Sequence, residues 1–113
     1  MSALGTWRQT AKNTTGAITY TQWIKVLDTV RRIYLRSVAV SDNTTAAAVC
    51  RVSIESGGTV YPITSILCTT AGLFYGFLSD IQVLPGEAIR FDWSAVGVAD
   101  VVTVSVNAHA DNV

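Results

Sequence analysis

Two stretches of the chain alternate apolar and polar residues with a period of two. In "EAIRFDW" (87–93), Ile89, Phe91 and Trp93 share one side while Arg90 and Asp92 share the other, and in "DVVTVSVNAHA" (100–110) Val102, Val104 and Val106 fall together. Successive side chains of a strand point to opposite faces, so this period predicts half-buried strands whose apolar sides meet in one core. No helical period competes with it, and the many Thr, Val and Ser residues favour strands as well. The expected class is all-β.

The other segments extend the pattern. "GAITYTQWIKV" places Ile18, Tyr20, Ile24 and Val26 among polar partners and reads as a first strand. In "TVRRIYLRSVAVSD" the apolar positions Ile33 and Leu35 shift phase to Val38 and Val40, the slip that a β-bulge near Arg36 or Ser37 would produce. Asp42 and Asn43 then supply side chains that bond their own backbone in a turn. "AAAVCRVSIES" sets Cys50, Val52 and Ile54 opposite Arg51, Ser53 and Glu55, and Gly57-Gly58 predicts a two-residue hairpin into "TVYPITSILCTT". Pro62 assigns that second strand to an edge or a bulge. "GLFYGFLSDIQVL" is more continuously apolar, with a bend expected at Gly76, and Leu84-Pro85-Gly86-Glu87 fits a type II turn.

Seven to eight short strands separated by turns predict a two-layer antiparallel β-sandwich of the jelly-roll kind. The 113 residues suffice for one domain, assigned to residues 16–113, while residues 1–15 lack periodicity and read as an N-terminal arm.

Only 14% of the residues are charged, against about 25% in ordinary soluble domains, so other subunits are expected to cover part of the surface. Zero net charge argues against a direct nucleic-acid partner. No segment has the length needed to cross a membrane, and the opening residues contain no apolar run of the signal-peptide kind, which points to synthesis in the cytoplasm. Cys50 and Cys68 then read as buried apolar thiols. The charges are unevenly spread: residues 1–40 hold six basic side chains against Asp28, and residues 41–113 hold Arg51 and Arg90 against seven acids. Either this polarity survives folding and draws one subunit to the next, or strands from both halves interleave and mix the charges.

Catalytic chemistry is hard to assemble from this inventory. The single histidine, His109, lies four residues from the end of the sequence on a strand expected to fray, and a nucleophile-histidine arrangement would depend on it alone. There is no phosphate loop, dinucleotide fingerprint or metal-ligand spacing, so no enzyme activity, cofactor or metal is expected. Trp93 is in phase with the core. Trp23 is out of phase with Tyr20 and Ile24, and Trp7 lies in the expected arm, so both are candidates for exposure, to a partner protein or to a sugar ring. Arg31, Arg32 and Arg36 form the densest basic group, suited either to carboxylates on a neighbouring subunit or to a solvated face. With Trp7, Arg8 and Trp23 they make up the candidate partner-binding residues.

"RRIYLRSVAVSDNTTAAAVCRVSI", "SDIQVLPGEAIRFDW" and the closing "DVVTVSVNA" together resemble the small β-sandwich structural proteins of tailed bacteriophages. In those chains an I-x-L-x-S-V-x-V-x-D/N strand precedes a Ser/Thr/Ala-rich turn, and a V-L-x-G-E-x-I/L turn leads into the last two strands. The resemblance spans about residues 17–108 and rests on strand phasing and turn residues. It implies a capsid decoration or cement protein, a head-tail component or a fibre part that works as a homo-oligomer, often a trimer, and of these roles decoration of the major capsid protein shell of a virion is the one expected here. The alternative it leaves is a receptor- or carbohydrate-binding module of a fibre or tail.

Overall fold

The computed structural model describes the backbone of residues 4–14, 19–25, 31–78 and 81–112, and the side chains of residues 19–24, 33–78 and 81–109. The described residues form nine strands: β1 (Leu4–Thr14), β2 (Tyr20–Lys25), β3 (Arg31–Asp42), β4 (Ala48–Ser56), β5 (Thr59–Cys68), β6 (Tyr75–Leu78), β7 (Gln82–Val83), β8 (Ala88–Ser94) and β9 (Val101–Asn112). One sheet has the order β1-β9-β3-β6, with β7 also on β3, and the other has the order β2-β8-β4-β5. Every pairing is antiparallel. The chain changes sheet at every connection except β4 to β5 and β6 to β7. The result is an all-β, two-layer sandwich.

Alternation in the sequence becomes burial. Cys50, Val52 and Ile54 of β4, Ile89, Phe91 and Trp93 of β8, and Val102, Val104 and Val106 of β9 all line the space between the sheets. Gln22 is the polar exception on β2. It is buried because Trp93 Nε1 donates to its Oε1 at 2.7 Å while its own Nε2 donates to the Val102 carbonyl at 3.4 Å, so each buried polar group meets a partner.

The bulge expected near Arg36 is present. Leu35 pairs with Ala108 and Ser37 with Asn107, leaving Arg36 as the extra residue, and this slip lets Ile33, Leu35, Val38 and Val40 all face inward. The break between β6 and β7 lies alongside it, bridged by the Leu35 amide bonding the Ile81 carbonyl at 2.8 Å. The hairpin turn has φ of 57° at Gly57 and 83° at Gly58, the double positive-φ geometry that residues with a Cβ resist. Pro62 sits on β5, an edge strand, where the register with β4 also slips. In the turn after β7 the Glu87 amide bonds the Leu84 carbonyl at 3.1 Å and Gly86 has φ of 86°.

Three expectations change. Residues 4–14, expected as an arm, are the edge strand β1, paired residue for residue with β9 from Leu4 opposite Asp111 to Thr14 opposite Val101. Its backbone supplies a full ladder although its sequence has too few apolar residues to show a period. His109, expected on a fraying strand, is held between Thr6 and Tyr34 in the middle of a sheet. Gly76, expected to permit a bend, is needed instead for close approach: a Cβ there would lie 2.0 Å from the Val38 carbonyl oxygen.

Candidate interaction surfaces

The outer face of the β2-β8-β4 sheet carries an organised polar group. In register, Trp23 lies opposite Arg90 and Thr21 opposite Asp92. Arg90 Nε donates to both carboxylate oxygens of Asp92, at 3.0 and 2.9 Å, its Nη1 lies 3.9 Å from Glu55, and Thr21 donates its hydroxyl to Asp92 at 2.9 Å. These anchors hold the guanidinium carbon 5.0 Å from the centroid of the Trp23 ring, over one of its faces. Exposed ion pairs contribute about 0–1 kcal/mol each, so the chief effect of the group is to fix the orientation of Trp23, which is 38% exposed.

The flank formed by the edge strands β5 and β6 is of another character. These strands close the same side of the sandwich, and residues 56–79 contain no charged side chain and no histidine. Tyr61, Leu67, Leu73 and Phe74 are each at least half exposed and Leu78 is 86% exposed. The loop between the two strands is fixed: the Tyr75 hydroxyl accepts the Thr70 amide at 3.0 Å and shares a hydrogen with the Thr69 hydroxyl at 2.9 Å, and the Gly72 amide bonds the Asp42 carbonyl at 2.7 Å. Edge strands ordinarily carry charge to discourage association, and here that defence is missing over the whole flank. The chain matches no known protein-family model and no curated protein.

The residues singled out from sequence do not share one surface. Trp23 is exposed as expected, yet it lies in the β2-β8-β4-β5 sheet, whereas Arg36 is exposed at the bulge of β3 in the other. Arg90 is the cation over Trp23. The backbones of Trp7 and Arg8 lie opposite Ala108 and Asn107 on β1, and those of Arg31 and Arg32 opposite Asn112 and Asp111 on β3, while their side chains lie outside the described residues. The flank itself was missed, although its signal, a long run free of charge, stands in the sequence. Cys50 and Cys68 are free and buried, and burial pushes both thiols above their usual range.

At one end of the sandwich Asp42 and Asp100 face each other, fully buried and 5% exposed respectively. Asp42 Oδ1 accepts the amides of Thr44 at 3.1 Å and Thr45 at 3.2 Å, the turn role expected of it, and its Oδ2 is buried without a partner. Asp100 accepts the Thr44 hydroxyl on Oδ1 and the Gly97 amide at 2.9 Å on Oδ2. Burial, reinforced by Asp100, raises Asp42 above its ordinary value of 3.8. Burial pushes Asp100 the same way, but the Thr44 and Thr45 hydroxyls, Asp42 and the Gly97 amide outweigh it and hold Asp100 below 3.8. The two carboxylates are thereby set apart, burial favouring the neutral form of Asp42 and donated hydrogen bonds favouring the charged form of Asp100. The adjoining loops place Ala47, Ala95 and Ala99 at φ of 67°, 58° and 65°, a left-handed conformation costing roughly 1 kcal/mol or more for each such residue.

The sign of the pH dependence follows. A group whose pKa rises on folding stabilises fully below its unfolded value and loses that contribution as pH climbs through the folded value; this is Asp42. Asp100 is the reverse, stabilising above 3.8 and losing its contribution as pH falls through its lowered value. Urea melts over a pH series are expected to show stability declining as Asp42 deprotonates, with a slope of at most about 1.4 kcal/mol per pH unit. Asp42→Asn keeps an acceptor for the two amides and cannot ionise, and should abolish the decline. An unchanged slope in this variant would show that Asp42 does not set it.

Proposed function

We propose that this chain is a virion structural protein, a decoration subunit that oligomerises and adheres to the repeating outer surface of a phage head. The observation that carries this reading is the charge-free, exposed apolar flank on a rigid two-sheet block, a surface suited to being covered by protein. The strand order, β1-β9-β3-β6 over β2-β8-β4-β5, fits the interleaved double Greek key of a jelly roll, an architecture used in viral shells. The phage setting comes from the likeness in strand and turn pattern around residues 31–42 and 83–93. A sugar-binding role for Trp23 is less favoured because Arg90 already occupies one face of the ring.

A shell offers many identical sites, so modest individual contacts suffice to reinforce it. Mixed with capsids of the parent phage and spun through a cushion, the chain is expected to pellet with them saturably, at a fixed number of copies per capsomer. Retention in the supernatant at micromolar concentration would refute the proposal. Deleting residues 2–14 is a poor test of adhesion because it removes β1 and leaves one side of β9 unpaired along its length. Trp23→Ala, which leaves the core intact, is the cleaner variant, with a several-fold loss of shell binding expected if that face makes the contact.

A further inference from the structure

The end of the sandwich where Asp42 meets Asp100 holds more oxygen than its hydrogen bonds use. Asp42 is fully buried and its Oδ1 is committed to the Thr44 and Thr45 amides, while its Oδ2, the oxygen left to face Asp100, is buried without a partner. Orphaned buried polar atoms are uncommon, and one that belongs to a carboxylate is the most costly kind. Around it stand Asp100 and the hydroxyls of Thr44 and Thr45. Gly97 closes the group: a Cβ there would lie 2.5 Å from Thr45 Oγ1 and 3.0 Å from each Asp100 oxygen, so a bare backbone is what lets these atoms converge.

What such a group lacks is a positive charge. Among the described residues neither carboxylate has a Lys or Arg partner, Arg90 being paired with Glu55 and Asp92 on the outer face. Two ionised carboxylates at close quarters repel. A cation between them removes the repulsion and takes the hydroxyl oxygens as further ligands, which a proton does not. The donor set selects the class of metal. Among the described residues no three His, Cys, Asp or Glu side chains come together, so the nitrogen- and sulfur-rich sites of zinc or copper are not formed. The Cys68 thiol near Asp42 is kept protonated by burial and is a poor ligand. Carboxylate, hydroxyl and water oxygens on irregular loops suit calcium, which takes about six to eight oxygens in flexible geometry, whereas magnesium demands a near-ideal octahedron and gives up its water reluctantly. With two carboxylates the affinity falls in the weak class, a Kd of about 10⁻⁴–10⁻³ M.

We infer that the β3–β4 and β8–β9 loops form a calcium site in which Asp42 and Asp100 are the charged ligands and the Thr44 and Thr45 hydroxyls, with water, complete the oxygen shell. The ion ties the two loops together and, because the Gly72 amide bonds the Asp42 carbonyl, steadies the β5–β6 loop as well. Calorimetric titration of calcium chloride into the full chain, stripped with a chelator and held at neutral pH, tests this. One ion per chain is expected, with magnesium bound at least about tenfold more weakly. In about 10 mM calcium the melting midpoint should rise by at least about 5 °C over sodium chloride of equal ionic strength. Asp42→Asn and Asp100→Asn are each expected to weaken calcium binding at least about tenfold, whereas the control Glu87→Gln, in the turn at the far end of β8, leaves it unchanged. Hydrogen exchange on the wild type locates the ion whatever the stability of the variants: calcium should slow the amides of residues 42–45 and 97–100. Absence of both heat and midpoint shift in calcium, equal affinity for magnesium, binding indifferent to both Asp substitutions, or protection confined to other segments overturns the inference.

Discussion

Trp93→Ala is expected to lower the unfolding free energy by about 4 kcal/mol, a large share of the roughly 5–15 kcal/mol available to a domain of this kind. Among the described residues Trp93 is the largest buried side chain, and its strand, β8, is paired on both sides, with Cys50 of β4 and Tyr20 of β2 directly opposite. With a strand on each flank, the backbone has little freedom to collapse into the space a missing indole leaves. The substitution also strips Gln22 Oε1 of its donor, so a buried amide adds its desolvation cost to that of the cavity. Trp93→Phe separates the two terms: it keeps most of the ring packing, loses the hydrogen bond, and should cost about 1–3 kcal/mol. Urea denaturation followed by circular dichroism measures both. A Trp93→Ala variant within 1 kcal/mol of wild type would mean that this residue does not hold the sheets together as described.

That central role is legible in the sequence, because β8 and β9 are half-buried strands whose described inward residues are all apolar. The same holds wherever one face is dry and one wet: the bulge at Arg36, the Gly57-Gly58 hairpin and the turn at Leu84–Glu87 each left a local chemical mark. The marks fail in two circumstances. A strand held chiefly by its backbone ladder, as β1 is, has no obligatory period, so it passes for a tail. A surface residue paired across strands takes its meaning from a neighbour distant in sequence: Arg90 meets Trp23 only because β2 and β8 are adjacent, and Asp42 meets Asp100 only because the β3–β4 and β8–β9 loops converge. The exposed flank belongs to a third kind. Its sequence is apolar enough to pass for core; Pro62 marks β5 for an edge or a bulge, but only the fold shows that β6 is an edge as well and that Leu67 and Leu78 are exposed.

Gly76→Ala is expected to cost about 2–4 kcal/mol, far more than a glycine-to-alanine change on a short edge strand would suggest. The added methyl would lie 2.0 Å from the Val38 carbonyl oxygen and 3.0 Å from the Val38 carbonyl carbon and Ala39 Cα, all backbone atoms of β3 that cannot swing aside. The four pairs between β6 and β3, from Ser37 opposite Leu78 to Val40 opposite Tyr75, must then loosen together, and Tyr75 and Phe77 lose their packing on the core. Gly58→Ala supplies the contrast: open space surrounds its Cβ, and only its φ of 83° penalises a side chain, at roughly 1–2 kcal/mol. Equal stability of the two variants in urea would contradict the close approach. Hydrogen exchange should locate the damage in the β6 amides and in the β3 groups that pair with them, leaving β8 and β9 protected.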